Sequence, residues 1–415
     1  MTSENQASPY RWVIEGLLIS GLLVQEAVWL APAPILEPII KSFNIGLGRA
    51  GMLISIIALF IGVFAILGGL MGSRMGIIRW IVLGAWMMGI GAVLSGFTTN
   101  YWTLFACRAL EGIGFGIIMG PAQALPMQWF PPREWPYINS VNLVCGNISL
   151  AVTFAVTPSL YYLLGSSWGR TLTFYGVLEI GVAILWTIFG RENKSAPAAV
   201  SAAPSPAQPT HRLDVLKRSD VLLATLGIFG GVWMTSLHGA FMPQFFHTQR
   251  ALTLSQAGRL AAIPTIAAIA GSFLGGVASG LVGRRRPFTW PLAIVGICCT
   301  MGTLLIPNYG GIFTAQLLGG LFGSMVWPVV VTMTMELPGM TPELAHIALA
   351  FAWGTAFIGG FFAPLVAGAA AQVIGLQASM IIFTLVGLSQ LGFYFIPETG
   401  KGRAVLQVAV AAADG

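Results

Sequence analysis

Charge is what this sequence has least of. Asp, Glu, Lys and Arg make up 8% of its 415 residues, where a soluble globular domain carries about 25%, so an ordinary water-soluble fold is excluded. Histidine is scarce as well. His211, His238, His247 and His346 show no HExxH-like spacing and no pairing with cysteine, so no metal centre is expected. Cys107, Cys145, Cys298 and Cys299 all fall inside apolar runs, which predicts free, packed thiols instead of a disulfide framework. Residues Met1 to Tyr10 lack the basic, apolar and small-residue succession of a cleaved signal, and the first apolar run is expected to be retained. Nothing resembles a convergent nucleophile, so neither enzymatic activity nor a cofactor is expected.

Apolar length is abundant. Hydrophobic residues make up 56% of the chain and the mean hydropathy is +0.82. Runs of about 20 apolar residues recur throughout, each long enough to cross a bilayer. The 52 glycines suit helices that approach closely in lipid. The pattern predicts an all-α membrane protein of twelve transmembrane spans, at about 11–33, 48–71, 79–97, 101–124, 137–164, 170–190, 219–244, 256–281, 288–306, 310–335, 343–371 and 376–396.

The chain repeats itself. Gly69-Leu70-Met71-Gly72-Ser73-Arg74-Met75-Gly76-Ile77-Ile78-Arg79 returns as Gly276-Val277-Ala278-Ser279-Gly280-Leu281-Val282-Gly283-Arg284-Arg285-Arg286, 207 residues later. Ala50-Gly51-Met52-Leu53 and Ala257-Gly258-Arg259-Leu260 keep the same offset, which argues for two copies of one unit. Midway, Ala196 to Pro209 holds only Ala, Pro, Ser, Val and Gln, the composition of a linker. Residues 1–190 are therefore expected to form one six-helix bundle, 191–218 a cytoplasmic linker, and 219–415 a second bundle. With both termini inside, 14 Lys and Arg fall on the cytoplasmic side and 5 on the outer side, Arg108 lying within a span. This bias fits the positive-inside rule. The net charge of +6 is thereby topological, and no nucleic-acid partner is expected.

Twelve spans in two homologous halves around a long linker resemble the major facilitator superfamily. The loop signature between spans 2 and 3 is carried by Gly69, Arg74, Gly76 and Arg79, with Ser73 where the family has aspartate. The copy between spans 8 and 9 keeps Gly276, Gly283, Arg285 and Arg286 but has Gly280 and Leu281 at the acidic and basic positions. In span 4, Arg108-Ala109-Leu110-Glu111-Gly112-Ile113-Gly114 resembles a second family motif. The resemblance implies two pseudo-symmetric six-helix bundles, a central small-molecule site and loop contacts that latch one conformation. The missing charges at Ser73, Gly280 and Leu281 predict a looser latch. Independently of the resemblance, the loop arginines also serve as topology anchors.

Charges inside spans are costly and are functional candidates by default. Arg108 and Glu111 share a face of span 4, either as a proton- or substrate-linked pair or as a self-neutralising packing pair. Glu26, past the middle of span 1, is the candidate for reversible protonation, and His238 in span 7 is a second one that is equally read as a packed polar residue. Glu179 in span 6 has no evident partner. Candidate cavity residues are Gln25, Trp29, Asn142, Trp233 and Trp327, the tryptophans serving either to stack a planar ligand or to fill the core. Asn142 belongs to a polar stripe on span 5 with Asn139, Gly146, Ser149 and Thr153.

The expected function is secondary active transport of a small polar or weakly acidic organic metabolite, by proton symport, in the cell (plasma or inner) membrane and as a monomer. The alternatives are proton-coupled efflux and, more remotely, a sensor that binds without transporting. Nitrate-type carriers of the superfamily pair arginines in spans 2 and 8, and neither span has one in its interior here. The glycine-proline pair of drug–proton antiporters reads Thr157-Pro158 in span 5, with Leu160 following.

Overall fold

The computed structural model describes residues 9–71, 76–130, 134–193, 213–340 and 342–400. Twelve of its helices are long and apolar enough to cross a membrane: α1 (Arg11–Phe43), α2 (Leu47–Met71), α3 (Ile77–Ser95), α4 (Tyr101–Trp129), α5 (Trp135–Leu163), α6 (Trp168–Phe189), α7 (Ser219–Gln249), α8 (Leu254–Val282), α9 (Trp290–Leu305), α10 (Tyr309–Met335), α11 (Pro342–Ile374) and α12 (Leu376–Tyr394). Their ends agree with the expected spans to within a few residues, with three larger extensions. The α1 span continues through Pro32 and Pro34 as a short 3-10 segment, Ala33–Ile35, followed by a last helical stretch, Leu36–Phe43. Helix α4 runs through Pro126 to Trp129, and α7 through Pro243 to Gln249. Proline ends a helix in water, but within a bundle neighbouring groups can satisfy the carbonyl it orphans.

The two halves pack alike. In the first, α2 and α3 pack on α4, α3 on α6, and α1 on α5. The second repeats this as α8 and α9 on α10, α9 on α12, and α7 on α11. The halves meet along α2–α11 and α5–α8, which the repeat makes equivalent. Backbones touch there because side chains are missing. A Cβ on Gly62 would stand 2.6 Å from the Gly354 carbonyl oxygen, and one on Gly368 would stand 2.7 Å from the Gly48 Cα. Small residues at such crossings allow dispersion contact between helices where lipid offers no hydrophobic drive.

Three apolar clusters show how the bundle is closed. Both ends of the described chain lie at one face, called here the terminal face. Toward the opposite, far face a single cluster joins the halves, with Val28, Ile54 and Phe154 packed with Phe241, Leu260 and Phe361. Toward the terminal face there are two separate clusters. One contains Ile14, Ile81, Ile118 and Trp186 of the first half, and the other Ile228, Val330, Ala352 and Phe393 of the second. The halves are thus sealed at the far face and parted at the terminal face.

Candidate transport site

The parted region is lined from both halves. Glu26 is partly exposed in α1 and, among the described residues, makes no hydrogen bond or ion pair. Trp29, one turn on, donates Nε1–H to the Ile54 carbonyl at 3.0 Å and lies edge-on to Phe115 (5.9 Å between centroids). From Trp29 the aromatic contacts cross the halves, to Phe357 at 6.4 Å, Trp353 at 6.0 Å and Trp327 at 5.3 Å. Asn142 is partly exposed on α5, and its Oδ1 accepts nothing. Beside it a Cβ on Gly146 would meet no atom within 4 Å, so that face of α5 borders open space.

Several candidates turn elsewhere. Gln25 is 3% exposed and faces Glu179 of α6, since adjacent helical residues point about 100° apart. It belongs to the interior of the first half, and it supplies the neighbour that Glu179 lacked in the sequence. Trp233 is buried, donates Nε1–H to the Phe383 carbonyl at 3.1 Å, and packs between Phe229 and Phe383. His238 is occupied at both nitrogens, Nδ1 against the Met234 carbonyl at 2.7 Å and Nε2 against Thr384 Oγ1 at 3.0 Å. It joins α7 to α12.

Arg108 is 1% exposed, and its position follows from the broken helix beside it. Pro32 has no N–H to offer the Val28 carbonyl, and the turn that follows leaves the Trp29 carbonyl unpaired too. Arg108 donates to both, at 2.9 and 2.5 Å, and through Nε to the Leu53 carbonyl at 2.8 Å. Its remaining contact is the Glu111 carboxylate, which also accepts from Ser95 Oγ at 2.7 Å. One guanidinium therefore ties α1, α2 and α4, with α3 joined through Glu111. The pair is closed off from the open region.

The loop signatures behave unequally. Ser73 and Arg74 lie outside the described residues, Gly69 is helical, and Arg79 is exposed with no bond among the described residues. Gly76 adopts φ +83°, which favours glycine, and Glu192, just past α6, accepts from the Ile78 N–H at 3.2 Å. The second copy is fully engaged. Gly283 has φ +71°; Glu398, past α12, accepts from the Arg285 and Arg286 amides at 2.7 and 3.2 Å; and Arg285 grips Glu336 with contacts at 3.1 and 2.8 Å. Those hydrogen bonds hold the Glu336 carboxyl below its ordinary 4.5. Arg286 reaches the Tyr394 carbonyl and lies over its ring, while Gly276 stays on the exposed face of α8. Among the described residues, these contacts of the second copy stay within its own half. Glu192 and Glu398 were missed in the sequence, although they stand 206 residues apart and so follow the repeat.

Across the halves at the far face, His247 of α7 sets Nε2 2.8 Å from Glu37 of α1 and Nδ1 2.6 Å from the Leu252 carbonyl. Among the described residues no three His, Cys, Asp or Glu side chains gather as a metal site would.

The Major Facilitator Superfamily profile matches residues 18–259 and 224–409, which together cover most of the chain. The chain belongs to the Major Facilitator Superfamily. It is similar to the probable sulfoacetate transporter SauU of Cupriavidus necator, with 23% identity over 252 residues, 57% of each chain. It is also similar to the purine ribonucleoside efflux pump NepI of Escherichia coli O157:H7, with 27% identity over 200 residues, 48% of each chain. The match thus spans little more than half of SauU and about half of NepI. In fold it is similar to a bacterial homolog of the human lysosomal transporter Spinster in an inward-facing, unoccupied conformation, with a TM-score of 0.78, 16% identity, and coverage of 94% of this chain and 97% of that one. The chain is therefore a multi-pass membrane transporter of small molecules and not an enzyme.

Proposed function

We propose that this transporter moves a small polar organic solute by alternating access, coupled to protons at Glu26. The supporting observation is that a carboxyl lies in the interior between the halves, partly open and without a partner, where a desolvated acid can gain and lose a proton in step with a conformational change. Arg108, Glu111 and His238 have their polar groups engaged within one half, so Glu26 alone is assigned the coupling role. The positive-inside bias puts the terminal face in the cytoplasm, which makes the state described here inward-open. The chain acts as a monomer in the plasma or inner membrane, its two halves joined by the 191–218 linker.

Symport is the primary reading. Efflux by antiport is the second, favoured by the similarity to a relative named as an efflux pump. Solutes that raise the melting temperature of the purified protein identify a ligand for proteoliposome assays. Wild-type vesicles are expected to accumulate it under a pH gradient, and Glu26→Gln to lose that gradient dependence at least ten-fold while still binding. Unchanged gradient-driven uptake in the variant would remove the proton role. The sign of the effective gradient separates symport from antiport.

A further inference from the structure

The aromatic row beside Glu26 contains two tryptophans whose condition differs from that of their neighbours. Trp29 and Trp233 spend their indole N–H groups on backbone carbonyls. Trp327 and Trp353 do not. Among the described residues neither Nε1–H has a partner, and both rings are partly exposed, although a packed interior tryptophan normally finds an acceptor. The two rings lie 5.3 Å apart at 31°, and Phe357 continues the row from Trp353 at the same 31°. Counting about 1.5 Å per residue from the helix ends at the terminal face, Asn142 and Trp327 lie at about 10 and 12 Å, Trp353 at about 16 Å, and Glu26 and Phe357 at about 22 Å. These groups therefore lie between about 10 and 22 Å from the terminal face.

The polar groups at these depths are the unpaired Glu26 carboxyl and the Asn142 amide, whose buried Oδ1 has no donor; both offer acceptors. No free cation lies at these depths: Arg108 is consumed by three carbonyls and Glu111, and the other described arginines and lysines stand near or beyond the span ends. Anions would meet a carboxylate with nothing to neutralise their charge, while flat rings bearing N–H groups would meet stacking faces and acceptors together.

Resting on the transporter reading above, we infer that the Trp327–Trp353 face with Glu26 and Asn142 binds a planar heteroaromatic solute that carries N–H donors and no negative charge. This departs from the weakly acidic metabolite expected from sequence, and from the sulfoacetate in one relative's name. It agrees in chemistry with the purine ribonucleoside in another's.

Equilibrium dialysis of the purified full chain tests the inference without requiring proton coupling. The probes are adenine, adenosine and proflavine, with sulfoacetate as the anion. Saturable binding of at least one planar probe is expected, with none for sulfoacetate. Trp353→Leu should weaken it about ten-fold, as loss of one stacking face does, while Trp353→Phe stays within about three-fold because it restores a ring. Absence of saturable binding by all three planar probes, binding of sulfoacetate, or equal affinity in Trp353→Leu and wild type would each overturn the inference. If a non-aromatic solute is accumulated under a pH gradient while none of the planar probes binds, this substrate class fails and proton-coupled transport stands. Loss of gradient coupling in Glu26→Gln with planar binding retained leaves the inference in place.

Discussion

At Arg108 the chemistry that looked like coupling closes a broken helix. A buried guanidinium is costly unless every donor is used, and here the orphaned carbonyls of Val28 and Trp29 use it. Arg108→Ala should destabilise the protein by about 3–5 kcal/mol, because Glu111 is left buried and unpaired. Adding Glu111→Ala removes that stranded charge but leaves the carbonyls without donors, each costing about 1–3 kcal/mol. Unfolding in detergent is therefore expected to show only partial recovery in the double variant, and full recovery would reduce Arg108 to an ion-pair partner. The signal was present in the sequence as Pro32 and Pro34 inside an apolar run. Which donor would answer them depends on how α4 packs against α1, and spacing does not record that. The same limit separated Gln25 from Glu26: one residue along α1 turns a side chain from the open region into the first half.

Among the elements, α2 and α11 set the far-face closure, because Gly48 and Gly368 let their backbones touch. Gly368→Val should force the pair apart, and His247→Ala should remove the Glu37 contact that joins α1 to α7. Both are expected to raise labelling of a single cysteine placed at Ile54, in the shared far-face cluster, by an impermeant thiol reagent added from the far side, with the larger effect from Gly368→Val. No increase in either variant would mean that closure does not depend on this seam. At the other end, the Arg285–Glu336 tie joins the α8–α9 loop to α10. Glu336 has a depressed pKa, so its contribution is present above its ordinary 4.5 and is lost as pH falls through the lower folded value. Glu336→Gln should therefore lower the melting temperature at pH 7, by an amount that shrinks as pH falls below 4.5. The repeat made these loops legible, but not the acidic partners of the second copy, Glu336 and Glu398, which lie far along the chain from the basic loop they serve.

On the scale of the whole molecule, most of the architecture was written in composition and periodicity. Twelve spans and two like halves follow from apolar length and from a 207-residue echo, since a bilayer admits few alternatives to spanning helices; residues 194–212 of the expected linker lie outside the described residues. What apolar patterning cannot encode is which face is shut. Residues on α1 and α7 are equally apolar whether they pack across the halves or within one, so the shared far-face cluster appears only once the helices are placed.

That shared cluster also carries a calorimetric consequence. Opening the far face must wet Val28, Phe241, Phe361 and their neighbours, whereas the parted terminal face is bordered by Glu26, Asn142 and part-exposed tryptophans. The two states of the cycle then hide unequal amounts of oily surface, and so differ in heat capacity. Because apolar burial weakens on cooling, chilling the membrane should drain population from the state described here, and the transport rate should trace a curved rather than a straight line against reciprocal temperature.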